Sequence, residues 1–169
     1  LRIYLRFLGP KLLRKLTRLW MPLGKRVVIV GGGPAGSTAA AVLAQQGRDV
    51  LVLEKEEFPR YHVGESLLPF CYFPLERIGM IERMKESHFP RKHAVQFVTT
   101  EGKISAPFYF FQHMDHEAAT TWQVLRSEFD QMLLDNARDK GVVVLEETTV
   151  VELLGDGVSG DHGPSKVTG

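Results

Sequence analysis

The sequence predicts an α/β fold in which parallel strands alternate with helices, and two features carry this prediction. The four β-branched residues Val27–Val30 form a continuous apolar run, which is typical of a strand buried on both faces of a parallel sheet. A glycine-rich turn, a helix of small apolar residues over 35–46 and a second apolar run over 49–53 follow it directly. Strand, helix and strand in this order indicate a βαβ unit with two parallel strands.

Three glycines between the first strand and the helix have G-x-G-x-x-G spacing. Gly31 permits the tight turn off the strand, Gly33 lets a pyrophosphate approach the backbone, and Gly36 lets the helix pack closely on the sheet. Pro34 suits a first helical turn, where a missing amide hydrogen costs nothing, and Ala35 continues that turn. The unpaired amides and the positive dipole end of the helix then favour an anion.

Glu54 ends the second strand about twenty residues after the glycines, the distance at which a carboxylate bonds the ribose of a dinucleotide. Such a carboxylate repels a 2′-phosphate. Strand, glycines, helix, strand and acid together predict a Rossmann-like unit that binds an adenine dinucleotide. The alternative is a glycine-rich turn in an ordinary βαβ unit that binds nothing.

The distribution of charge separates the first 26 residues from the remainder. Of the 21 Lys and Arg residues, eight lie in 1–26 without any acid, which leaves 13 bases against 20 acids and a net charge of −7 over 27–169. An acidic globular part argues against a nucleic-acid groove. The single cysteine, Cys71, excludes an intrachain disulfide and is compatible with a reducing compartment, so we expect a cytoplasmic protein.

Residues 1–24 form a basic amphipathic extension. Between Lys11 and Trp20 the leucines fall on one helical face and the bases opposite, a pattern that predicts a helix lying on an anionic membrane surface. No apolar run is long enough to cross a bilayer. The alternative is that residues 1–20 are foreign to the protein. The chain begins with Leu, and the sequence from Met21 leads directly into the first strand.

The rest of the chain predicts further elements around this unit. One or two short helices interrupted at Gly79 follow a loop, and residues 94–111 predict an inserted antiparallel hairpin or meander. Ser127 and Asp130 resemble a capping box at the start of a helix that ends at Gly141. Val142 begins a third parallel strand, a further strand covers 150–154, and 155–169 predict a flexible or truncated tail.

His113 and His116 lack further spaced ligands, so we predict no metal site.

Beyond the glycines, the residues FPRYHVGESLLP resemble the N-terminal half of the flavin-dependent halogenases. More broadly, residues 25–154 are similar to the superfamily of FAD monooxygenases and geranylgeranyl reductases, which identifies this segment as an FAD-binding domain. The resemblance implies that the glycines hold the FAD pyrophosphate and Glu54 the adenosine ribose, and that the loop from Arg60 to Ser66 lies near the flavin. It implies that Arg126 points at the cofactor phosphates. The cofactor-binding residues expected in this way are Gly31, Gly33, Pro34, Ala35, Gly36, Glu54, Lys55, Arg60, Gly64, Glu65, Ser66, Gln123 and Arg126.

Lys92 is the expected catalytic residue. The run Phe89-Pro90-Arg91-Lys92 before a strand is similar to the halogenase segment that carries the active-site lysine, where the lysine captures or hydrogen-bonds hypohalous acid. An ammonium in a partly dry cavity can donate a proton or lose one and become a nucleophile. The alternative is a solvated lysine at the start of a strand.

The resemblance leaves the reaction open. Neither Trp20 nor Trp122 belongs to the W-x-W-x-I-P segment of halogenases, and the Gly-Asp flavin signature is absent, so we expect the front portion of a longer enzyme with an incomplete C-terminal half. Halogenation implies a small organic substrate, a halide and a separate flavin reductase. Hydroxylation driven by NAD(P)H, prenyl reduction of the geranylgeranyl-reductase type, and an inactive nucleotide-binding fragment are the alternatives.

Overall fold

The computed structural model of the protein describes residues 2–7 and 27–154. The chain divides into two units, residues 1–58 with 134–169 (unit 1) and residues 59–133 (unit 2). In chain order the described strands are β1 (Arg2–Phe7), β2 (Val27–Val30), β3 (Val50–Leu53), β4 (Arg91–Lys92), β5 (Ala94–Val95), β6 (Phe108–Tyr109), β7 (Thr121–Trp122), β8 (Val143–Leu145) and β9 (Thr148–Leu154). The α-helices are α1 (Pro34–Gln45), α2 (Tyr72–Arg77), α3 (Ile81–Glu86) and α4 (Arg126–Asp139).

Unit 1 contains a parallel three-stranded sheet in the order β2-β3-β8. The α/β class, the βαβ unit and the third parallel strand are thereby confirmed. Strand β3 lies in the centre, where its four residues are buried between its neighbours, and Leu51, Leu53 and Leu145 form one core cluster. This cluster holds the end of β3, which Glu54 of the candidate site directly follows.

The expectation that β2 is buried on both faces is wrong for the described part of the chain. Val27, Val28 and Ile29 are only half-buried, and Val30 is 59 % exposed. The physical reason is position, because β2 pairs with β3 along one edge and lies at the end of the described sheet. The fully buried strand is β3, whose sequence is just as apolar.

Helix α1 follows β2 after the glycine turn, as predicted. Gly33 is its N-cap residue, Pro34 occupies the first helical turn, and Ala40 and Ala41 are completely buried. Gln46 caps the C-terminal end, and Gly47 follows with a φ of +74°. Small side chains let this helix lie close to the sheet.

The antiparallel pair of unit 1 was not predicted. Strand β1, within the basic extension, pairs with β9 from Arg2↔Leu154 to Phe7↔Thr148. The amphipathic helix expected between Lys11 and Trp20 and the tail expected over 155–169 both lie outside the described residues. Among the residues that the structure does describe, no helix is long and apolar enough to cross a membrane.

Unit 2 contains the two short helices and the inserted antiparallel segment. Helices α2 and α3 are separated at Gly79, which has a φ of +74°, and they bury Ile78, Met80 and Met84. Strand β5 pairs with β6 and β4 pairs with β7, both antiparallel, so the hairpin over 94–111 is confirmed. Three short 3-10 helices complete the unit, namely Pro69–Cys71, Phe110–Gln112 and Glu117–Ala119.

Helix α4 begins one residue before the predicted capping box. Its first residue is Arg126, so Ser127 lies inside the first turn rather than before it. Asp130 does not reach back to a cap, because its carboxylate accepts hydrogen bonds from the Arg126 side chain one turn earlier. The predicted end at Gly141 is confirmed in outline, since the Gly141 amide donates to the carbonyl of Arg138.

Candidate functional site

In the glycine turn of unit 1 the backbone segments lie so close together that a side chain has no room between them. Gly31 has a φ of +99°, and its amide donates to the carbonyl of Leu53 at 2.8 Å. A Cβ atom built on Gly36 would lie 2.0 Å from the Gly31 carbonyl oxygen. The turn and helix α1 therefore approach more closely than any residue other than glycine permits.

Glu54 is buried and hydrogen-bonded to this turn. It is only 3 % exposed, and its Oε2 accepts from the Gly32 amide at 2.6 Å while Oε1 accepts from the Glu56 amide at 3.0 Å. The Oγ of Ser37 donates to the Gly32 carbonyl at 2.7 Å, so the residue in the middle of the turn is held at both backbone groups. The roles of Gly32 and Ser37 were not predicted, although the run of three glycines and the serine in the first helical turn are visible in the sequence.

The N-terminus of helix α1 is open to an anion. Gly33 makes no side-chain cap bond, and the first turn contains no acidic residue. Ala35 is exposed, and Gly33, Pro34 and Gly36 are half-buried. Uncapped amides and a positive dipole end, with no acidic residue in the first helical turn, favour the binding of a phosphate group. The structure thus brings together the predicted unit 1 residues Gly31, Gly33, Pro34, Ala35, Gly36 and Glu54, with Lys55 exposed beside them.

Two arginines of unit 2 share one buried carboxylate. Asp130 is completely buried, and its carboxylate accepts from Nε and Nη2 of Arg126 at 2.7 and 2.9 Å and from Nη1 of Arg60 at 3.3 Å. The hydrogen bond to Asp130 raises the pKa of the Arg126 guanidinium above its ordinary value. Asp130 thereby holds two guanidinium groups of unit 2 close to each other.

Arg126 also holds the predicted flavin loop. Its Nη1 donates to the Val63 carbonyl at 2.8 Å, and a Cβ atom on Gly64 would lie 3.2 Å from the same nitrogen. The Glu65 carbonyl accepts from the Val124 amide at 2.7 Å, and Ser66 forms an antiparallel bridge to Gln123. The structure therefore assembles Arg60, Gly64, Glu65, Ser66, Gln123 and Arg126 within unit 2, and the expected contact of Arg126 with cofactor phosphates stays a prediction.

Lys92 lies in β4 with its ammonium held by two oxygens. Nζ donates to the Oγ of Ser66 and, at 3.2 Å, to the carbonyl of Leu67. It lies 5.6 Å from the centroid of the Phe110 ring. Strand pairing of Lys92 with Thr121 fixes the backbone from which this side chain extends. The half-buried ammonium is therefore anchored rather than fully solvated.

Unit 2 contains an aromatic cavity of about 440 Å³. Lys92 does not line this cavity, but Phe110, whose ring centroid lies 5.6 Å from the Lys92 Nζ, does. His113 stacks on Phe108 in its wall, with ring centroids 4.2 Å apart and the planes 3° from parallel. The sequence analysis missed this cavity, although the run Phe108-Tyr109-Phe110-Phe111 signalled it. Its lining residues are Leu68, Pro69, Phe70, Val95, Phe97, Phe108, Phe110, His113 and Met114.

No metal centre is formed by the part of the chain that the structure describes. Across 27–154 no three His, Cys, Asp or Glu residues are grouped so as to hold an ion. His116 instead uses Nδ1 to accept from the Ala118 amide at 3.0 Å. Its ring also contacts Tyr72 edge-on, with the centroids 5.3 Å apart.

Comparison with known proteins places these residues in a family context. The sequence model of the tryptophan halogenase family matches residues 26–120. The flavin-dependent halogenase armH3 of Armillaria mellea is 43 % identical over 133 residues, which cover 79 % of this chain and 26 % of that protein. The tryptophan 2-halogenase of Chondromyces crocatus is 38 % identical over 137 residues, which cover 81 % and 25 %.

Solved structures agree in fold. The myxobacterial chondrochloren halogenase CndH, an FAD-dependent halogenase, superposes with a TM-score of 0.72 at 39 % identity over 79 % of this chain and 31 % of that one. The flavin-dependent halogenase CmlS gives a TM-score of 0.69 at 39 % identity, over 76 % and 23 %. The chain spans about a quarter of the length of the curated relatives it matches.

Proposed function

The chain belongs to the tryptophan halogenase family, and we propose that it supplies the FAD-binding front portion of a flavin-dependent halogenase. In this proposal unit 1 binds the adenosine diphosphate part of FAD, and Lys92 of unit 2 takes part in the chemistry. The substrate is a small organic molecule, and a separate flavin reductase delivers the reduced cofactor. The cytoplasmic location expected from the single cysteine stays a prediction.

The observation that carries the proposal is the open N-terminus of α1 next to the buried Glu54. The amides at the start of the helix have no side-chain cap, and the first turn of the helix contains no acidic residue, so a diphosphate fits against these amides. Glu54 holds the turn through Gly32 and lies at the end of β3, where a carboxylate meets the ribose in dinucleotide-binding folds. The residues present thus fit an adenine dinucleotide that lacks a 2′-phosphate.

When bound, reduced FAD would give two electrons to O2, which takes two more from the halide and yields hypohalous acid and water; the protein supplies binding, orientation and a proton. The glycine turn and Glu54 hold the adenosine diphosphate part. Arg60 and Arg126 keep positive charge beside the loop that ends at Ser66. Lys92 presents an ammonium close to the aromatic cavity, where it donates a proton to hypohalous acid and so makes the halogen more electrophilic.

Removal of the ammonium tests the role of Lys92. In the full-length protein Lys92→Ala is expected to lower halogenation of a panel of small phenols and indoles by about 100-fold or more, the usual contribution of a positioned acid. The measurement is halide-dependent product formation with FADH2 supplied by a flavin reductase. FAD affinity is expected to be unchanged, because Lys92 is not among the residues predicted to bind the cofactor.

Lys103→Ala is the matched control, because the Lys103 side chain is 80 % exposed and, within the described residues, pairs only with Glu101. It is expected to retain wild-type activity. Wild-type turnover by Lys92→Ala would remove Lys92 from the mechanism. Saturable NADH binding without FAD binding would contradict the proposal and would instead indicate a nicotinamide-dependent dehydrogenase.

A further inference from the structure

The Lys92 ammonium has two of its three hydrogens committed to oxygen atoms of the same loop. One bond goes to the Oγ of Ser66, and the other goes to the Leu67 carbonyl at 3.2 Å. A lysine side chain has a flexible four-carbon stem, so its ammonium stays at one point only where fixed acceptors hold it. Both acceptors lie on consecutive residues, so the position of this loop decides where the ammonium lies.

The loop itself is fixed from both sides. Ser66 forms a bridge to Gln123, and the Leu67 amide donates to the Trp122 carbonyl at 3.0 Å. Three residues earlier, the Val63 carbonyl accepts from Arg126, whose guanidinium is held in turn by the fully buried Asp130. The backbone that carries Ser66 is therefore anchored before and after the serine.

Within the described residues the third hydrogen of the ammonium has no acceptor, and Nζ lies 5.6 Å from the ring centroid of Phe110, a wall residue of the aromatic cavity. An ammonium that is fixed by two hydrogen bonds and has one hydrogen left can donate that hydrogen to an acceptor atom of a bound ligand. An acceptor in that cavity would then meet a proton donor that needs no reorganisation.

We propose that Ser66 is the positioning residue for Lys92, which it holds with the Leu67 carbonyl so that the ammonium points its remaining hydrogen toward the aromatic cavity. This role rests on the proposed function of Lys92. The Arg126–Asp130 pair supports it indirectly, through the loop. Alanine at 66 removes one of the two fixed acceptors and lets the side chain sample other positions, whereas threonine keeps a hydroxyl at the same place.

Competitive acetylation tests this contact without requiring activity. Acetic anhydride is applied to the folded protein at one pH, and mass spectrometry gives the rate at Lys92 relative to the exposed Lys103. Ser66→Ala is expected to raise this ratio by about fivefold, the effect of losing one modest hydrogen bond to a charged group. Ser66→Thr is expected to keep the wild-type ratio.

Ser87→Ala is the matched control, because the Ser87 hydroxyl donates to the Met84 carbonyl and makes no reported bond to Lys92. It is expected to leave the ratio unchanged. In the full-length enzyme Ser66→Ala is expected to lower kcat by about tenfold with KM unchanged, and Ser66→Thr to restore kcat.

The outcomes separate the two proposals. A labelling ratio that is unchanged in Ser66→Ala, or that rises equally in Ser66→Thr, overturns the positioning role of Ser66. Full halogenation by Lys92→Ala together with a raised ratio in Ser66→Ala overturns the proposed function of Lys92, and with it the catalytic purpose of the serine, while the contact itself stands. A raised ratio with a kcat loss that threonine restores supports both.

Discussion

At the scale of single residues, the contact between Gly36 and the Gly31 carbonyl explains why the turn and the helix form one rigid piece. The 2.0 Å separation that a Cβ atom would have from this oxygen is far inside van der Waals contact. The oxygen belongs to the backbone, so it cannot rotate away as the end of a side chain could. Any relief requires the helix to move off the turn.

Gly36→Ala is therefore expected to lower the free energy of unfolding by at least about 2 kcal/mol through overpacking, and to weaken FAD binding at the same time. Thermal unfolding followed by circular dichroism and a fluorescence titration with FAD give the two quantities. Gly47→Ala, at the other end of the same helix, is the control. It has open space around its Cβ and a φ of +74°, so it is expected to cost only about 1 kcal/mol and to leave binding unchanged. Equal effects of the two variants would contradict the close packing described here.

At the scale of elements, a polar cluster of the buried Tyr72 with Lys85 and the exposed Glu117 joins the two short helices of unit 2 to a 3-10 helix. Glu117 accepts from the Tyr72 hydroxyl at 2.8 Å and pairs with Lys85 at 3.1 Å. The bond from Tyr72, followed by the bond from Lys85, lowers the pKa of the Glu117 carboxyl. The folded protein thus binds a proton at Glu117 less readily than the unfolded chain does. The cluster stabilises above the unfolded-state pKa, and this stabilisation is lost as the pH falls through the lower folded-state pKa.

Glu117→Gln is expected to flatten the acid side of the stability curve, because the variant has no carboxyl to protonate. The fall in Tm between about pH 5 and about pH 3 should be smaller than in the wild type. Glu101→Gln makes the same chemical change at an exposed hairpin turn, where Glu101 meets only Lys103 among reported pairs, and should keep the wild-type profile. Identical slopes in wild type and Glu117→Gln would exclude the cluster as a source of acid sensitivity.

The strands and helices differ in how far local sequence patterns predict them. The βαβ unit, the third parallel strand and the hairpin over 94–111 follow from short-range periodicity and turn residues, and the structure has them. The exposure of β2 does not follow, because a strand's place in the sheet depends on partners distant in sequence. The pairing of β1 with β9 joins residues about 150 positions apart, which no local pattern encodes.

At the scale of the whole molecule, candidate residues were easier to predict than their contacts. Motif spacing indicated Gly31, Gly33, Gly36 and Glu54, because each occupies a fixed position in a local βαβ unit. It did not show that Glu54 holds Gly32, since that bond joins residues 22 positions apart and depends on the exact turn. The aromatic cavity likewise combines residues from 68 to 114, which only the folded chain brings together.

Much apolar surface also remains uncovered in the described residues. Phe70, Phe97 and Phe111 are 71 %, 66 % and 62 % exposed. Phe70 and Phe97 both line the aromatic cavity, and exposed apolar surface of this kind is typical of ligand-binding sites. The chain spans about a quarter of the length of its curated relatives, so the activity proposed here is a property to be measured on the full-length protein.

The most direct measurement of the central claim, that a dinucleotide diphosphate lies against the N-terminus of α1, is the Kd of FAD for the wild type and for Gly33→Val by isothermal titration calorimetry. Gly33 has a φ of −67°, which valine adopts without strain, so the variant should fold. Ala39→Val, on an exposed position of the same helix, is the control and should bind FAD as the wild type does. We predict that the valine side chain blocks the phosphates and raises the Kd at least about tenfold, a loss of about 1.4 kcal/mol. An unchanged Kd in a folded Gly33→Val variant would contradict the claim.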